Sequence, residues 1–566
     1  MNKLKYFSIF LELTLWCMAC DRPKELSEPV VLYNQVGYMA DAPKMVLVGP
    51  DVTEVIVKNA SGSEVLRVPA DIPVYWLLSG DSVRKVNLSA IDIPGQYRLV
   101  MNGVERKINV VERPFTDVAK AAVKAFYYNR SGMAVDSAFG GPWARLAGHP
   151  DTVVYVHGSA ADANRPEGTV ISSPMGWYDA GDYNKYIVNS GISTYTLLRA
   201  LQDFPDYFDQ LQIGLPDANA DYPDLLTETL YNLKWVLTMQ DPYDGGVYHK
   251  LTTKKFEDFL MPHEAIKKRF VVSKSTSASL DFAALAAHSV GVLSQYEGLS
   301  EMGESALDKA VKAYDWALKN PDLFYLQPGD IGTGAYDDDT LTDEWFWASA
   351  ELFLATGDQN YLEAAKFYYQ RPSVPSWNQV DALGVLSLLD ADSLSNDVWI
   401  QQLKTDFLAL VDDLVEVSKT SPYGISLSSF EWGSNSSVAN DAMLKLFACK
   451  LTGNNDYWHS ALSDIDYLLG RNATGFCFVT GFGDKKVMNI HHRPSIADGV
   501  IDPVPGFLVG GPNTVVFADC PNANRSLFPA KSYVDLDCSY STNEVAINWN
   551  APLVYLAGGL DALMIQ

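Results

Sequence analysis

Positive charge is scarce in this 566-residue chain: 43 Lys and Arg stand against 69 Asp and Glu, a formal net charge of −26. Such a field repels a polyanion and an anionic membrane surface, which argues against nucleic acid as a partner. Cysteine is sparse as well, at 6 residues. Apart from the N-terminal Cys17 and Cys20, none stands in a CxxC or Cys/His spacing, so a structural zinc site is not expected. Beyond the N-terminus no apolar stretch is long enough for a membrane-spanning helix. A neutral polymer is indifferent to an acidic field. Aromatic residues, whose faces stack on sugar rings, make up 12 % of the chain, with 13 Trp and 30 Tyr, although any one of them can serve as core.

The first residues read as an export signal. Lys3 and Lys5 precede an apolar run from Tyr6 to Met18 that is too short to span a bilayer. Cys20 follows Cys17-Met18-Ala19, where a bacterial lipoprotein signal is cleaved and its cysteine acylated; Glu12 and Cys17 depart from the usual pattern. The expectation is a signal over 1–20 and a monomer at the bacterial cell envelope. It is either lipid-anchored, on the periplasmic or surface face of the outer membrane, or secreted. The membrane is then met only through the anchor. Four further cysteines, Cys449, Cys477, Cys520 and Cys538, allow three pairings.

Residues 29–112 are short, alternating and turn-rich. Strands are expected at 44–48, 55–58, 74–78, 84–88, 97–101 and 107–111, with Ser61-Gly62 and Asn102-Gly103 as turns, which predicts a small β-sandwich. After Pro114 the period changes to that of amphipathic helices: 117–130, 185–202, 222–240, 277–296, 303–319, 343–356, 360–370, 396–417, 436–452, 455–469 and 544–564. About twelve helices taken in pairs predict a six-hairpin α-barrel over 113–566. The long loops 131–180, 241–276 and 471–541 are where function should gather.

Two clusters carry candidate chemistry. In Gly176-Trp177-Tyr178-Asp179-Ala180-Gly181-Asp182, two carboxylates three apart can face one small volume and push their pKa values apart. A helix cap would account for the same residues. Near the C-terminus, Glu544 is read as opening an apolar helix. The helix dipole favours it there, and apolar neighbours would keep it protonated as a general acid. Between these clusters, His491 and Arg493 can both point at one sugar ring; the His491-His492 pair is a weaker metal candidate without further ligands nearby.

Together these segments resemble glycoside hydrolase family 9, the inverting cellulases, in the subgroup with an N-terminal immunoglobulin-like domain. Asn34-Gln35-Val36-Gly37-Tyr38 resembles the opening of that accessory domain, and Trp177-Tyr178-Asp179-Ala180-Gly181-Asp182 the base motif. Pro223-Asp224-Leu225-Leu226, Met239-Gln240-Asp241-Pro242 and Gly470-Arg471-Asn472-Ala473-Thr474-Gly475 also fit, in the family's order. The resemblance implies a mainly α fold, an (α/α)6 barrel behind an immunoglobulin-like β-sandwich. It implies Asp182 as general base, Asp179 as its partner in holding water, and Glu544 as general acid. His491, Arg493 and Asp535 would bind substrate. Trp377, Trp432, Trp549, His249 and Tyr178 are further candidates for the sugar cleft. No cofactor is required, but a structural calcium at Asp343 and Glu344 is a candidate, although the preceding loop Tyr336-Asp337-Asp338-Asp339 differs in length from the family's. Cys477 and Trp549 depart from the family's usual residues.

The expected activity is inverting, endo-acting hydrolysis of β-1,4-glucosidic bonds in cellulose, mixed-linkage β-glucan or xyloglucan. Two alternatives stand beside it: an exo-acting β-glucosidase or glucosaminidase on short oligosaccharides, and a catalytically silent glycan-binding protein. A lyase on uronic polysaccharides would need a basic cleft, which the acidic composition disfavours.

Overall fold

The computed structural model describes residues 30–219 and 221–564; the segment 1–20 expected to be an export signal, with Cys20, lies outside the described residues. Nine strands come first: β1 Val31–Leu32, β2 Tyr38–Met39, β3 Met45–Val48, β4 Glu54–Asn59, β5 Glu64–Pro69, β6 Val74–Trp76, β7 Asp81–Asn87, β8 Gly95–Met101 and β9 Val104–Val111. They form two sheets, ordered β1-β3-β7-β6 and β2-β9-β8-β4-β5. Alternate apolar residues, among them Val46, Val48, Val55, Val57, Leu99 and Val110, fill the space between the sheets. The expected Asn102-Gly103 turn joins β8 to β9, with both residues at positive φ, 45° and 82°. β5 was not expected: it pairs with β4 alone, and its half-exposed side chains lack a clear buried face.

Twelve helices of ten residues or more follow among the described residues. Six of them form an inner ring: Ile187–Asp203, Thr276–Leu293, Thr342–Thr356, Asp381–Asp390, Ser434–Thr452 and Ile547–Ala562. These are buried on nearly all sides and rich in Ala, Ser and Gly, so their apolar residues lack a one-sided stripe. Outer helices such as Thr116–Tyr128, Ser300–Lys319 and Asn455–Leu468 bury one stripe and expose the other. Inner and outer members alternate along the chain and make a six-hairpin barrel. The inner helix Asp381–Asp390 has no counterpart among the expected segments, because it is buried from Asp381 to Leu388 and shows no one-sided stripe. Among the described residues no helix is long and apolar enough to cross a membrane.

The long loops are more ordered than their composition suggests. Five short strands, β10 Val154–Val156, β11 Val170–Ile171, β12 Lys185–Tyr186, β13 Lys250–Thr252 and β14 Phe270–Val271, pair in the order β11-β10-β14-β13-β12. This sheet fixes the segment 176–186 at one end of the barrel. Beneath it the buried Asp151 pairs with Lys185 at 2.7 Å and Arg269 at 2.7 Å. Cys520 and Cys538 form a disulfide across the last long loop, while Cys449 and Cys477 are buried and free.

The sandwich docks on the barrel through Asn34 and Gln35. Asn34 Nδ2 donates to buried Asp466 at 2.8 Å, and Gln35 Oε1 accepts from the amides of Asp484 and Lys485 at 2.8 Å each. The Gln35 amide donates to Leu469 O at 3.0 Å. Burial pushes the Asp466 carboxyl up to about 6, with Arg471 pulling it back. Replacing Asn34 with Ala would leave that carboxyl short of a donor, at a cost of about 1–3 kcal/mol. Urea denaturation of Asn34→Ala is expected to show a lowered midpoint of that size.

Candidate active site

Segment 176–186 is anchored from below. The Trp177 indole donates to Glu228 at 2.8 Å, and Glu228 is itself paired with Arg130 at 3.0 Å, all three buried. The Ile547 amide donates to Asp179 O at 2.8 Å, which ties the segment to the last inner helix. A Cβ on Gly181 would stand 2.0 Å from His491 O, so no other residue fits where the two segments meet. Arg493 closes this contact: its amide and its guanidinium Nη1 both donate to Gly181 O, at 3.1 and 2.7 Å.

Three carboxyls gather here with different partners. Asp182 Oδ2 accepts from the Asn184 amide group and from the Tyr186 hydroxyl at 3.3 Å, while its buried Oδ1 has no protein partner. Asp179 accepts from Asn189 at 2.6 Å on one oxygen and from Tyr336 at 2.7 Å on the other. The Gly181 backbone tempers the proton affinity of Glu544, whose own backbone pairs in parallel with His491. Burial raises all three above their ordinary values. For Asp182, Arg493 and the donors Asn184 and Tyr186 counteract the rise. Asp179 is pushed up to about 8 by burial and then by Asp182. Burial and the neighbouring Asp182 and Asp179 hold Glu544 well above its usual value, with Arg493 opposing. The environments thus separate one carboxylate with a free oxygen from one carboxyl that keeps its proton.

The helix reading of Glu544 needs correction. The last helix begins at Ile547, and Glu544 stands in extended conformation (ψ 161°) at the end of a short helix, Tyr540–Asn543. Burial and neighbouring charge, not a helix dipole, set its proton affinity.

His491 Nδ1–H donates to Asp537 O at 2.6 Å, which leaves Nε2 as an acceptor, and burial lowers its pKa so that the ring stays neutral. Arg493 is held on one side, where Nη1 serves Gly181 O and Nε serves Glu257 O at 2.9 Å, which leaves Nη2 for a ligand. Asp535 is occupied too, accepting from the amides of Met488 at 2.9 Å and Asn489 at 2.8 Å and from Asn543 at 3.0 Å. It buckles the loop that carries His491 and does not offer itself to a ligand. Tyr178 is 1 % exposed, hydrogen-bonded to His149 at 2.8 Å, and belongs to the core behind the site. His249 is fully buried, stacked on Tyr325 at 3.8 Å, with both ring nitrogens used by Ser275 and Ala335 O. Neither of these two faces a cleft.

His249 nonetheless reaches the site at one remove. Nε2–H holds Ala335 O, and the Lys250 ammonium holds Gly334 O and Gln327. Between them they fix Tyr336, whose φ of 51° is a left-handed backbone that a tyrosine rarely adopts. Tyr336 then donates to Asp179 and packs edge-on against the half-buried Trp377 at 5.1 Å. Trp432, 47 % exposed, lies against Tyr540 at 5.4 Å. Trp549 is half-buried between Gly433 and Gly510.

Residues 115–557 match the model of glycosyl hydrolase family 9, and residues 27–106 that of a cellulase N-terminal ig-like domain. The chain belongs to glycosyl hydrolase family 9. It is 40 % identical over 591 residues to a xyloglucan-specific endo-beta-1,4-glucanase of Bacteroides ovatus, covering 100 % of this chain and 99 % of that protein. Endoglucanase D of Acetivibrio thermocellus is 31 % identical over 542 residues, 93 % of this chain and 82 % of that protein. Among solved structures, a Bacteroides ovatus GH9 protein superposes with a TM-score of 0.88 at 40 % identity, over 94 % of this chain and 99 % of that one. The sandwich and helical barrel are those of family 9 enzymes.

Several site residues of this family 9 chain escaped sequence reading. Asn184 and Tyr186 stand just past the base motif and had no role assigned. Asn189 lies one helical turn further on. Tyr336 carries no spacing signal, because the contact that matters is made by a loop 157 residues away from Asp179.

Asp343 and Glu344, the candidate calcium ligands, are buried with Asp281 and Asp338. Glu344 Oε2, Asp338 Oδ2 and both Asp281 oxygens lack partners, and burial and mutual repulsion raise the proton affinity of Asp281, Glu344 and Asp338. Oxygen donors of this kind suit a hard cation. Among the described residues, however, no three His, Cys, Asp or Glu are arranged as a metal-binding set.

The raised carboxyls carry a stability signature. A group lifted from 3.8 to about 8 in the folded state contributes stability that is full below about pH 4 and lost as pH rises through 8. The Tm of the protein is expected to fall across pH 5–8, and that of Asp179→Asn to fall less steeply, as thermal melts at each pH would show.

Proposed function

We propose that this family 9 hydrolase cleaves internal β-1,4-glucosidic bonds by inversion, with xyloglucan among its substrates. The observation that carries the reading is the division between Asp182, with one unpartnered oxygen, and Glu544, with a retained proton. Asp182 takes a proton from water, and the water oxygen bonds to the anomeric carbon from one side. The glycosidic C–O bond breaks on the other, and its electron pair goes to the leaving oxygen, which receives the proton of Glu544. Inversion requires the two groups to stand roughly 6.5–9.5 Å apart to admit that water. Asp179, fixed by its Tyr336 and Asn189 bonds, is the partner of Asp182 in holding that water. His491 Nε2 accepts from a sugar hydroxyl. Xyloglucan is favoured by the named specificity of the Bacteroides ovatus relative, which matches the whole chain.

Asp182→Asn and Glu544→Gln are each expected to lower kcat on xyloglucan by about 10²–10⁴ with an unchanged Tm. The wild type should first release medium-length products whose new reducing ends are α-anomers by NMR. A single short product, or β-anomers, would contradict the reading.

The proposal extends to a monomer exported under the signal over 1–20 and acylated at Cys20, supported by Lys3, Lys5 and the apolar run that follows. It also includes a structural calcium at Asp343 and Glu344, supported by the unpartnered oxygens around them. No catalytic step uses that ion. Chelation with EGTA is expected to lower the Tm of the wild type, and not that of Glu344→Gln.

A further inference from the structure

The loop 253–268 borders the active site and carries two phenyl rings without a role so far. Phe256 is 42 % and Phe259 44 % exposed. The loop is firmly tied: Arg493 donates to Glu257 O at 2.9 Å, the Tyr183 hydroxyl donates to Leu260 O, and Lys267 pairs with Glu257 at 2.9 Å. The rings flank the Arg493 guanidinium, with its central carbon 5.4 and 5.6 Å from their centroids. Arg493 between them is only 7 % exposed, so the outward surface at this point is mainly phenyl.

Phe259 is also the end of a longer series. It meets His491 edge-on at 5.4 Å, His491 meets Tyr540 at 6.0 Å, and Tyr540 meets Trp432 at 5.4 Å. The line passes Glu544, whose backbone is bridged to His491. An exposed ring forgoes the stabilisation of burial unless something covers it. A glucan chain is suited to cover this one, because its sugars present apolar C–H faces and polar edges. The line offers rings for the faces, and His491 Nε2 with the carboxyls for the edges.

We propose that Phe259, supported by Phe256, is a sugar-stacking, specificity-determining residue, and that the rings of Phe259, His491, Tyr540 and Trp432 form the wall along which the substrate lies. This rests on the β-1,4-glucanase reading above and adds to it the residues that grip the polymer. Phe259 touches substrate directly; it does not act by holding His491 in place.

The test compares wild type with Phe259→Ala, Phe259→Leu and Phe259→Tyr on xyloglucan and mixed-linkage β-glucan, with Tm measured for each. Removing the ring face should raise KM about tenfold, or about 1.4 kcal/mol, with kcat within about twofold, and Phe259→Tyr should keep the wild-type KM. A wild-type KM in Phe259→Leu would overturn the proposal. So would a fall in kcat at constant KM, which would place the ring behind His491. Should the wild type cleave neither polymer, the hydrolase reading fails by itself. Retardation in gels containing the same glucans then decides the ring: weaker for Phe259→Leu than for wild type if it grips sugar, equal if it does not.

Discussion

The active site depends on one close approach, the seating of Gly181 against the carbonyl of His491. The two segments that meet there are separated by about 300 residues of sequence, and each brings half of the chemistry. Gly181 O accepts twice from Arg493, and the backbone of His491 is bridged to that of Glu544. A side chain at this position would collide with backbone, which cannot yield as a flexible side chain does. The spacing between base and acid is therefore set by main chain against main chain, the least deformable contact available. Side-chain rotamers then only fine-tune it.

That contact places three carboxyls in a buried volume, which is unfavourable in itself. The protein does not neutralise them with cations alone. Arg493 lies close to Asp182 and Glu544, but neutral donors do much of the work: Asn184 and Tyr186 at Asp182, Asn189 and Tyr336 at Asp179. Neutral donors stabilise a carboxylate without abolishing its basicity, whereas a full ion pair would pull it far down. Tyr336 makes its bond from a strained backbone, and the strain is supported by His249 and Lys250 on a neighbouring strand. Burial lowers the Lys250 ammonium to about 7, so this support itself is sensitive to proton concentration.

How far the sequence could be read follows from the range of each signal. The outer helices bury a single stripe, and their 3.6 period was visible; Asp381–Asp390 is short and buried all round, and it was not. β3, β4, β7, β8 and β9 showed through their alternation, while β5 lacks a clear buried face. Asp182 and Glu544 stand in dense motifs, so their candidacy needed only local sequence. The roles of Tyr178, His249 and Asp535 did not follow from local sequence. Each sits in or beside a motif and each proves to be a support, because which way a side chain turns is settled by segments far away. Arg493 shows the same limit: its charge was legible, but the two carbonyls that hold it in place were not.

The β-sandwich gains its relevance from the same geometry. Asn34 and Gln35 grip the barrel at Asp466, Leu469, Asp484 and Lys485. A few residues further along, Asp535 buckles the amides of Met488 and Asn489, and then the chain reaches His491 and Arg493. The accessory domain thus braces the start of a strap whose end presses on Gly181. A strap fixed at both ends holds the carbonyl of His491 at a constant height over the glycine. Released at one end, it would leave the Arg493 guanidinium as the side chain that ties His491's segment to Gly181.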